Sequence, residues 1–293
     1  MLLNYDEPLF RPPSEAYSLI FQITLGCSWN KCAFCEMYSS KKFSIKADNL
    51  IEKEIIEASK LYPDTKKIFL ADGNAMVLNS KKMLWILGLI NKSFPKVRRI
   101  SAYALPNDIL SKTDKELKEI SNSGLKLIYV GIESGDDELL KLVNKNETFD
   151  STVRGILKAK NAGIKSSVMI LNGLGGKKYS NQHAINSAKL LNKINPEYFS
   201  TLVLSFPYGE KHFEKRFKGN YQIMNVVELL QEMKILLEHT ELDKSVFRSD
   251  HASNYLVLKG ILSRDKDKLL NLINNAISEP NEARLRDEWQ RGL

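Results

Sequence analysis

Short apolar runs alternate with amphipathic stretches from residue 18 to about 240. Six runs read as strands, being rich in β-branched and aromatic residues with few internal charges. They are SLIFQIT (18–24), KIFLAD (67–72), RRISAYA (98–104), LIYVGI (127–132), SSVMILN (166–172) and YFSTLVLS (198–205). The intervening stretches place apolar residues at helical spacing: ADNLIEKEIIEASKLY (47–62), SKKMLWILGLINKSF (80–94), TDKELKEISNSG (113–124), FDSTVRGILKAKNAG (149–163) and NQHAINSAKLLNKI (181–194). Thr113 and Asp150 are expected N-caps, and Gly124 and Gly163 expected C-caps.

Six βα units in series predict a parallel sheet with helices outside it. The expected fold class is α/β: a partial (β/α)6 TIM-type barrel with a C-terminal helical extension. An open doubly wound sheet is the alternative. The expected organisation is an N-terminal segment packing on the barrel (1–17), a core (18–220) and an extension closing the barrel (221–293). The extension holds a helical block, IMNVVELLQEMKILLEHT, then SDHASNYLVLKG and SRDKDKLLNLINNAI.

Composition changes this picture little: 43% hydrophobic and 27% charged residues suit a globular chain with a sizeable core. No stretch of 18 apolar residues predicts a membrane span, and MLLNYDEPLF lacks the pattern of a signal peptide. The expectation is a cytoplasmic protein with reduced thiols and no membrane partner. The formal charge of +8 favours anionic partners, but the lysines are scattered, as on a solvated surface. No RNA-binding signature stands out, so nucleic acid is the less favoured partner.

The candidate chemistry is concentrated in LGCSWNKCAFCEMY, which holds all three cysteines, Cys27, Cys32 and Cys35, in a C-x4-C-x2-C spacing. Buried cysteines often serve as small hydrophobes. Structural zinc takes four ligands, and His183, His212, His239 and His251 lie far along the chain. A plant-type 2Fe–2S site needs a fourth cysteine. Three thiolates suit a 4Fe–4S cluster with one iron open to another ligand.

In α/β barrels the chemistry sits at the C-terminal ends of the strands. There this chain has the cysteine loop, ADGN (71–74), GIESG (131–135), LNGLGG (171–176) and SFPYGE (205–210). Polar candidates for substrate binding are Glu15, Glu36, Ser101, Tyr103, Asn107, Arg248, His251, Asn254 and Tyr255. The last four crowd into RSDHASNY, and His251 is also a candidate catalytic proton donor or acceptor. A hydrogen-bonded structural loop is the competing reading of that segment.

The cysteine loop after the first strand, with Phe34 between its last two cysteines, resembles that of the radical SAM superfamily. The resemblance covers about 190 residues. It implies that Cys27, Cys32 and Cys35 hold a 4Fe–4S cluster. The amino and carboxylate groups of S-adenosylmethionine would chelate the fourth iron, and cleavage would yield a 5′-deoxyadenosyl radical. The family's usual spacing is C-x3-C-x2-C, so the first gap here is one residue longer. Asp72, Gly73 and Asn74 stand where the family has a Gly-Gly-Glu-like stretch that holds the methionine amino group. By the same resemblance Phe34, Glu133, Ser134, Asn172 and Leu204 are expected around the cofactor.

FRPPSEA, the cysteine loop and HASNYLVLKG together resemble a compact bacterial group that includes queuine lyases. That implies release of a 7-deazaguanine base from queuine, with Glu15, Glu36 and Tyr103 available to hold the base. The implied partners are a small-molecule substrate and a one-electron donor such as flavodoxin or ferredoxin. The alternatives are radical SAM modification of tRNA or protein, and a non-catalytic iron–sulfur electron carrier.

Overall fold

The computed structural model describes residues 3–292. In chain order its elements are β1 (Leu19–Gln22), β2 (Thr24–Leu25), β3 (Ser44–Ile45), α1 (Asp48–Leu61), β4 (Lys67–Ala71), α2 (Ser80–Ser93), β5 (Arg99–Tyr103), α3 (Pro106–Leu110), α4 (Asp114–Asn122) and β6 (Leu125–Glu133). There follow α5 (Asp137–Leu142), α6 (Phe149–Asn161), β7 (Lys165–Asn172), α7 (Gly176–Ile194), β8 (Tyr198–Val203), α8 (Glu210–Arg216), α9 (Val226–Glu238), β9 (Val246–Ser249), β10 (Leu258–Ile261) and α10 (Leu262–Ser278). Eight strands hydrogen-bond in the order β1-β4-β5-β6-β7-β8-β9-β10, while β2 pairs antiparallel with β3. The α/β class stands, and each of the six expected strands is present. No helix among the described residues is long and apolar enough to cross a membrane.

The chain divides into two compact units. One comprises the described residues to Asn30, Met37–Val130 and Arg154–Ser166; the other comprises Lys31–Glu36, Gly131–Val153 and the residues from Ser167 onward.

In the first unit β1, β4, β5 and β6 pair parallel, with Leu19 opposite Ile68 and Tyr103 opposite Tyr129. Strand side chains alternate between faces. Ile68, Leu70, Ile100 and Ala102 are fully buried with Ile55 of α1, Leu87 and Ile90 of α2 and Leu117 of α4. The rings of Phe21 and Phe94 lie 5.9 Å apart in this layer. Each large apolar side chain so buried contributes about 1.5–3 kcal/mol. Phe69, Tyr103 and Tyr129, on the alternate positions, form a T-shaped aromatic group with centroids 5.1–6.2 Å apart.

In the second unit β7, β8 and β9 run parallel, and β10 returns antiparallel on β9. A core of Leu139, Val143, Leu174, Tyr179, Phe213, Phe217 and Tyr221 takes in Ala33, and Phe34 packs against it. The segment carrying Cys32 and Cys35 is thus anchored by its own apolar residues.

Three details differ from the sequence reading. The C-terminal part adds two short strands, so Arg248 lies in β9 rather than in a loop. Helix α7 starts at Gly176, directly out of LNGLGG, five residues before its apolar periodicity becomes clear. The cap of α6 is Thr148: its Oγ1 accepts from the Ser151 N–H at 3.0 Å, and Ser151 Oγ accepts from the Thr148 N–H at 2.8 Å. Asp150 already lies in the first turn. Thr113 caps α4 as expected, with Glu116 completing a capping box, and Gly124 and Gly163 have left-handed φ of 108° and 83°.

Candidate functional site

Cys27 lies in the first unit, at the end of β2. The preceding Gly26 has φ 69° and donates its N–H to Asp72 Oδ2 at 3.0 Å. The same oxygen accepts from Gln22 Nε2 and from the Lys41 ammonium, each at 3.2 Å. Asp72 is fully buried, and its Oδ1 has no partner. Gly73 then passes against the cysteine: an added Cβ would fall 2.9 Å from the Cys27 Cβ and 2.7 Å from the Tyr38 ring. Asn74 is also fully buried. Its Nδ2 donates to Ser28 Oγ at 2.9 Å and pairs with Asp108, while its Oδ1 is without a partner. A buried carbonyl oxygen left unmatched is rare and marks a place for a donor.

Also in this unit, Glu15 is fully buried. It holds Arg99 at 2.7 Å, the Tyr129 hydroxyl at 2.6 Å and Ser18. Both carboxylate oxygens are engaged. Tyr103 is half-buried in the aromatic group, and Ser101 is buried with its Oγ on the Ile68 carbonyl at 3.3 Å.

Cys32 and Cys35 lie in the second unit. The Ala33 N–H donates to the Val143 carbonyl at 2.8 Å, and Asn144 Nδ2 donates to the Lys31 carbonyl at 2.9 Å. Arg216 grips the segment from α8, with one guanidinium nitrogen on the Cys32 carbonyl and another on Glu36, both at 2.6 Å. His212 approaches Glu36 at 3.1 Å. Lys145, nearly buried, pairs with Glu133 at 3.1 Å and stands over the Phe34 ring.

The end of β6 supplies Glu133 and Ser134. Glu133 has φ 61°, is buried, and leaves Oε2 without a partner. Positive φ in a non-glycine residue is a strained conformation that tends to cluster at functional sites. Ser134 Oγ and His183 Nδ1 are hydrogen-bonded at 2.8 Å, and His183 Nε2 lies 3.8 Å from Glu232. Glu232, from α9, accepts the Gly173 N–H at 2.6 Å. Burial pushes its carboxyl pKa up, against the pull of His183. Asn172 donates from Nδ2 to the Leu229 carbonyl at 3.1 Å, and its own carbonyl accepts the Leu204 N–H at 2.9 Å.

A cleft of roughly 500 Å³ opens beside these groups, with Gly173, Leu204, Tyr221, Ser253, Tyr255 and Arg291 in its wall. That volume is in the range of small-molecule sites. Gly173, Leu204 and Tyr255 are therefore brought together. Arg248, His251 and Asn254 of RSDHASNY are not in that wall. Arg248 is exposed on β9. His251 Nδ1 accepts the Ser253 N–H at 3.1 Å, and burial and the Arg286 charge push its pKa below the usual value. Asn254 Nδ2 donates to the Thr201 carbonyl at 2.9 Å and leaves Oδ1 without a partner. The Tyr255 hydroxyl meets Glu288, and Arg291 stacks on its ring at 3.9 Å. Burial and that bond raise the Tyr255 hydroxyl to about 12.

Sequence reasoning missed Lys145, Arg216, His183, Glu232 and Arg291. Each sits in an amphipathic helix or a loop with no motif around it. The GIESG and LNGLGG motifs locate the groups they serve, but not these partners.

The site belongs to a recognisable class. The sequence model of the radical SAM superfamily matches residues 21–191, more than half of the chain, and the chain belongs to that superfamily. It is 24% identical over 185 residues to the heme chaperone HemW of Bacillus subtilis, covering 59% of this chain and 47% of that protein. It is 26% identical over 241 residues to the GTP 3′,8-cyclase of Clostridium perfringens, covering 78% and 66%. The coproporphyrinogen III oxidase HemN of Escherichia coli shares its fold with a TM-score of 0.59 at 16% identity, over 75% of this chain and 52% of that one. The chain spans about half to two-thirds of the length of these curated relatives. As a radical SAM protein it is an enzyme. Its cofactors are those of the superfamily, a 4Fe–4S cluster and S-adenosylmethionine. Radical SAM chemistry requires a substrate and an electron donor.

Proposed function

We propose that Cys27, Cys32 and Cys35 hold the cluster, and that the enzyme is a lyase acting on a small organic molecule, with queuine as substrate and a 7-deazaguanine base as product. The observation that carries the cofactor assignment is the donor set. Three thiolates leave one iron without a cysteine ligand, and Asn74 Oδ1 and Glu133 Oε2 are buried acceptors with no partner. These residues fit the group. When bound, the cluster and S-adenosylmethionine supply an electron and a hydrogen-abstracting equivalent.

The protein's own share is positioning. Asp72 fixes the backbone ahead of Cys27, and Gly73 lets the next strand end approach it. Arg216 and Ala33 fix the backbone of the Cys32–Cys35 segment. Asn74 and Glu133 present acceptors to an ammonium or to ribose hydroxyls. Glu232 fixes Gly173 at the wall of the cleft, where Leu204 offers an apolar surface to an adenine ring. His251 has its pKa lowered by burial, and with Nδ1 accepting the Ser253 N–H the neutral ring carries its proton on Nε2 as a donor.

The substrate assignment rests on the resemblance of three segments to the queuine lyase group. It is supported by Tyr103, the half-buried ring of the Phe69, Tyr103 and Tyr129 group, which is an aromatic side chain suited to a flat heterocycle. Its test is product analysis by mass spectrometry after anaerobic reconstitution and incubation with S-adenosylmethionine, dithionite and queuine. The expected products are 5′-deoxyadenosine and a free deazaguanine base. Deoxyadenosine with queuine intact would reject the substrate and keep the class.

A further inference from the structure

Lys145 is an anomalous charge. Its side chain is only 7% exposed, and its partner Glu133 is only 5% exposed. A buried ion pair of this kind is a poor stabilising device, because desolvation offsets most of the attraction. Here the pair is also incompletely matched, since Glu133 Oε2 has no partner. Packing alone therefore gives no reason for a lysine at this position.

Its surroundings give one. The ammonium stands 5.9 Å from the centre of the Phe34 ring, and Phe34 is the residue between Ala33 and Cys35. Two residues before the lysine, the Val143 carbonyl holds the Ala33 N–H at 2.8 Å. The backbone that carries the charge is thus pinned to the backbone that carries two thiolates. The Glu133 carboxylate at 3.1 Å favours the charged form of the ammonium.

We infer that Lys145 tunes the reduction potential of the iron–sulfur cluster, its fixed positive charge favouring the reduced state and the Glu133 carboxylate opposing it. The inference rests on the proposed assignment of the three cysteines. The step is simple in its balance. One electron passes from the donor to the cluster, no bond is made or broken, and no proton moves. The cluster becomes one charge more negative. A unit charge within about a nanometre, inside a protein, shifts such an equilibrium by roughly tenfold. The two residues act with opposite sign, which a merely structural role would not produce.

The experiment is a redox titration of the reconstituted full chain, followed by electron paramagnetic resonance without S-adenosylmethionine and with dithionite as reductant. Lys145→Met should lower the reduction equilibrium constant about tenfold or more, and tenfold is 59 mV for one electron. Lys145→Arg should stay near wild type. Glu133→Gln should move the potential upward, and it decides the matter if Lys145→Met fails to load a cluster. Fully loaded Lys145→Met titrating like wild type, or a downward shift in Glu133→Gln, would overturn the inference. If Lys145→Met titrates like wild type and still cleaves S-adenosylmethionine, the proposed function survives and only the tuning role falls. A wild-type chain that takes up no 4Fe–4S cluster would overturn both.

Discussion

Gly73 lies so close to Cys27 that a single added methyl group would sit 2.9 Å from the Cys27 Cβ. No real side chain tolerates that spacing. The strand end after β4 and the first cysteine are therefore set against each other by the absence of a side chain. Gly73→Ala should strain this contact by about 1–3 kcal/mol. The expected outcome is a chain that folds with normal far-ultraviolet circular dichroism but binds at most a small fraction of the wild-type iron and sulfide. Iron and sulfide assays on the reconstituted protein check it.

Asp72 is the strut beneath the same loop. Its Oδ2 accepts from Gly26, Gln22 and Lys41, and the Lys41 side chain is only 4% exposed. Asp72→Asn removes the charge and leaves Lys41 with the more exposed Asp6 at 3.6 Å. Removing one partner of a buried pair is strongly destabilising. The expected loss is about 3 kcal/mol, at the lower end of the usual range because Asp6 remains. Urea unfolding of the apo-protein measures it.

Arg216 joins α8 to the Cys32 carbonyl and to Glu36. Arg216→Met keeps the aliphatic stem and removes two charge-assisted bonds, each worth about 1.5–3 kcal/mol. The cluster should form but be lost to a chelator at least tenfold faster than from wild type. Arg216→Lys restores the charge without the fork and should fall between the two. The decay of cluster absorbance under chelator gives both rates.

His251 sets an acid dependence. Burial and the Arg286 charge hold its folded-state pKa below the ordinary 6.5. The unfolded chain thus binds a proton at a pH where the folded chain does not, and stability falls as pH drops. The contribution is fully present above 6.5 and is lost as pH falls through the folded-state value. His251→Gln should lose less stability than wild type between about pH 7 and 5. Denaturant midpoints across that range check the sign.

Much of the fold was legible because each strand is a local run of β-branched or aromatic residues, and because Thr113, Gly124 and Gly163 mark helix ends by their own chemistry. Asp150 misled because an acidic residue suits both an N-cap and a first turn, and Thr148, two residues earlier, is the one that accepts the Ser151 N–H. The strands β9 and β10 are four residues each, too short for a clear pattern, and β9 pairs with β8 while β10 pairs with β9. In the candidate site, the cysteines stand out in the sequence by their spacing and Glu133 by its glycine-flanked motif. Lys145 was not, because its role depends on a partner twelve positions away and on a ring between two cysteines. Glu232 lies fifty-nine positions from the Gly173 amide it holds, a distance no periodicity spans.

The proposed function requires Cys27, Cys32 and Cys35 to hold a cluster that cleaves S-adenosylmethionine. The most direct measurement is 5′-deoxyadenosine released on anaerobic addition of S-adenosylmethionine and dithionite, compared between wild type and Cys32→Ala. The expected result is deoxyadenosine from the wild type and at least a hundredfold less from the variant, roughly 3 kcal/mol in barrier terms. A fully loaded wild-type cluster that leaves S-adenosylmethionine intact would contradict it.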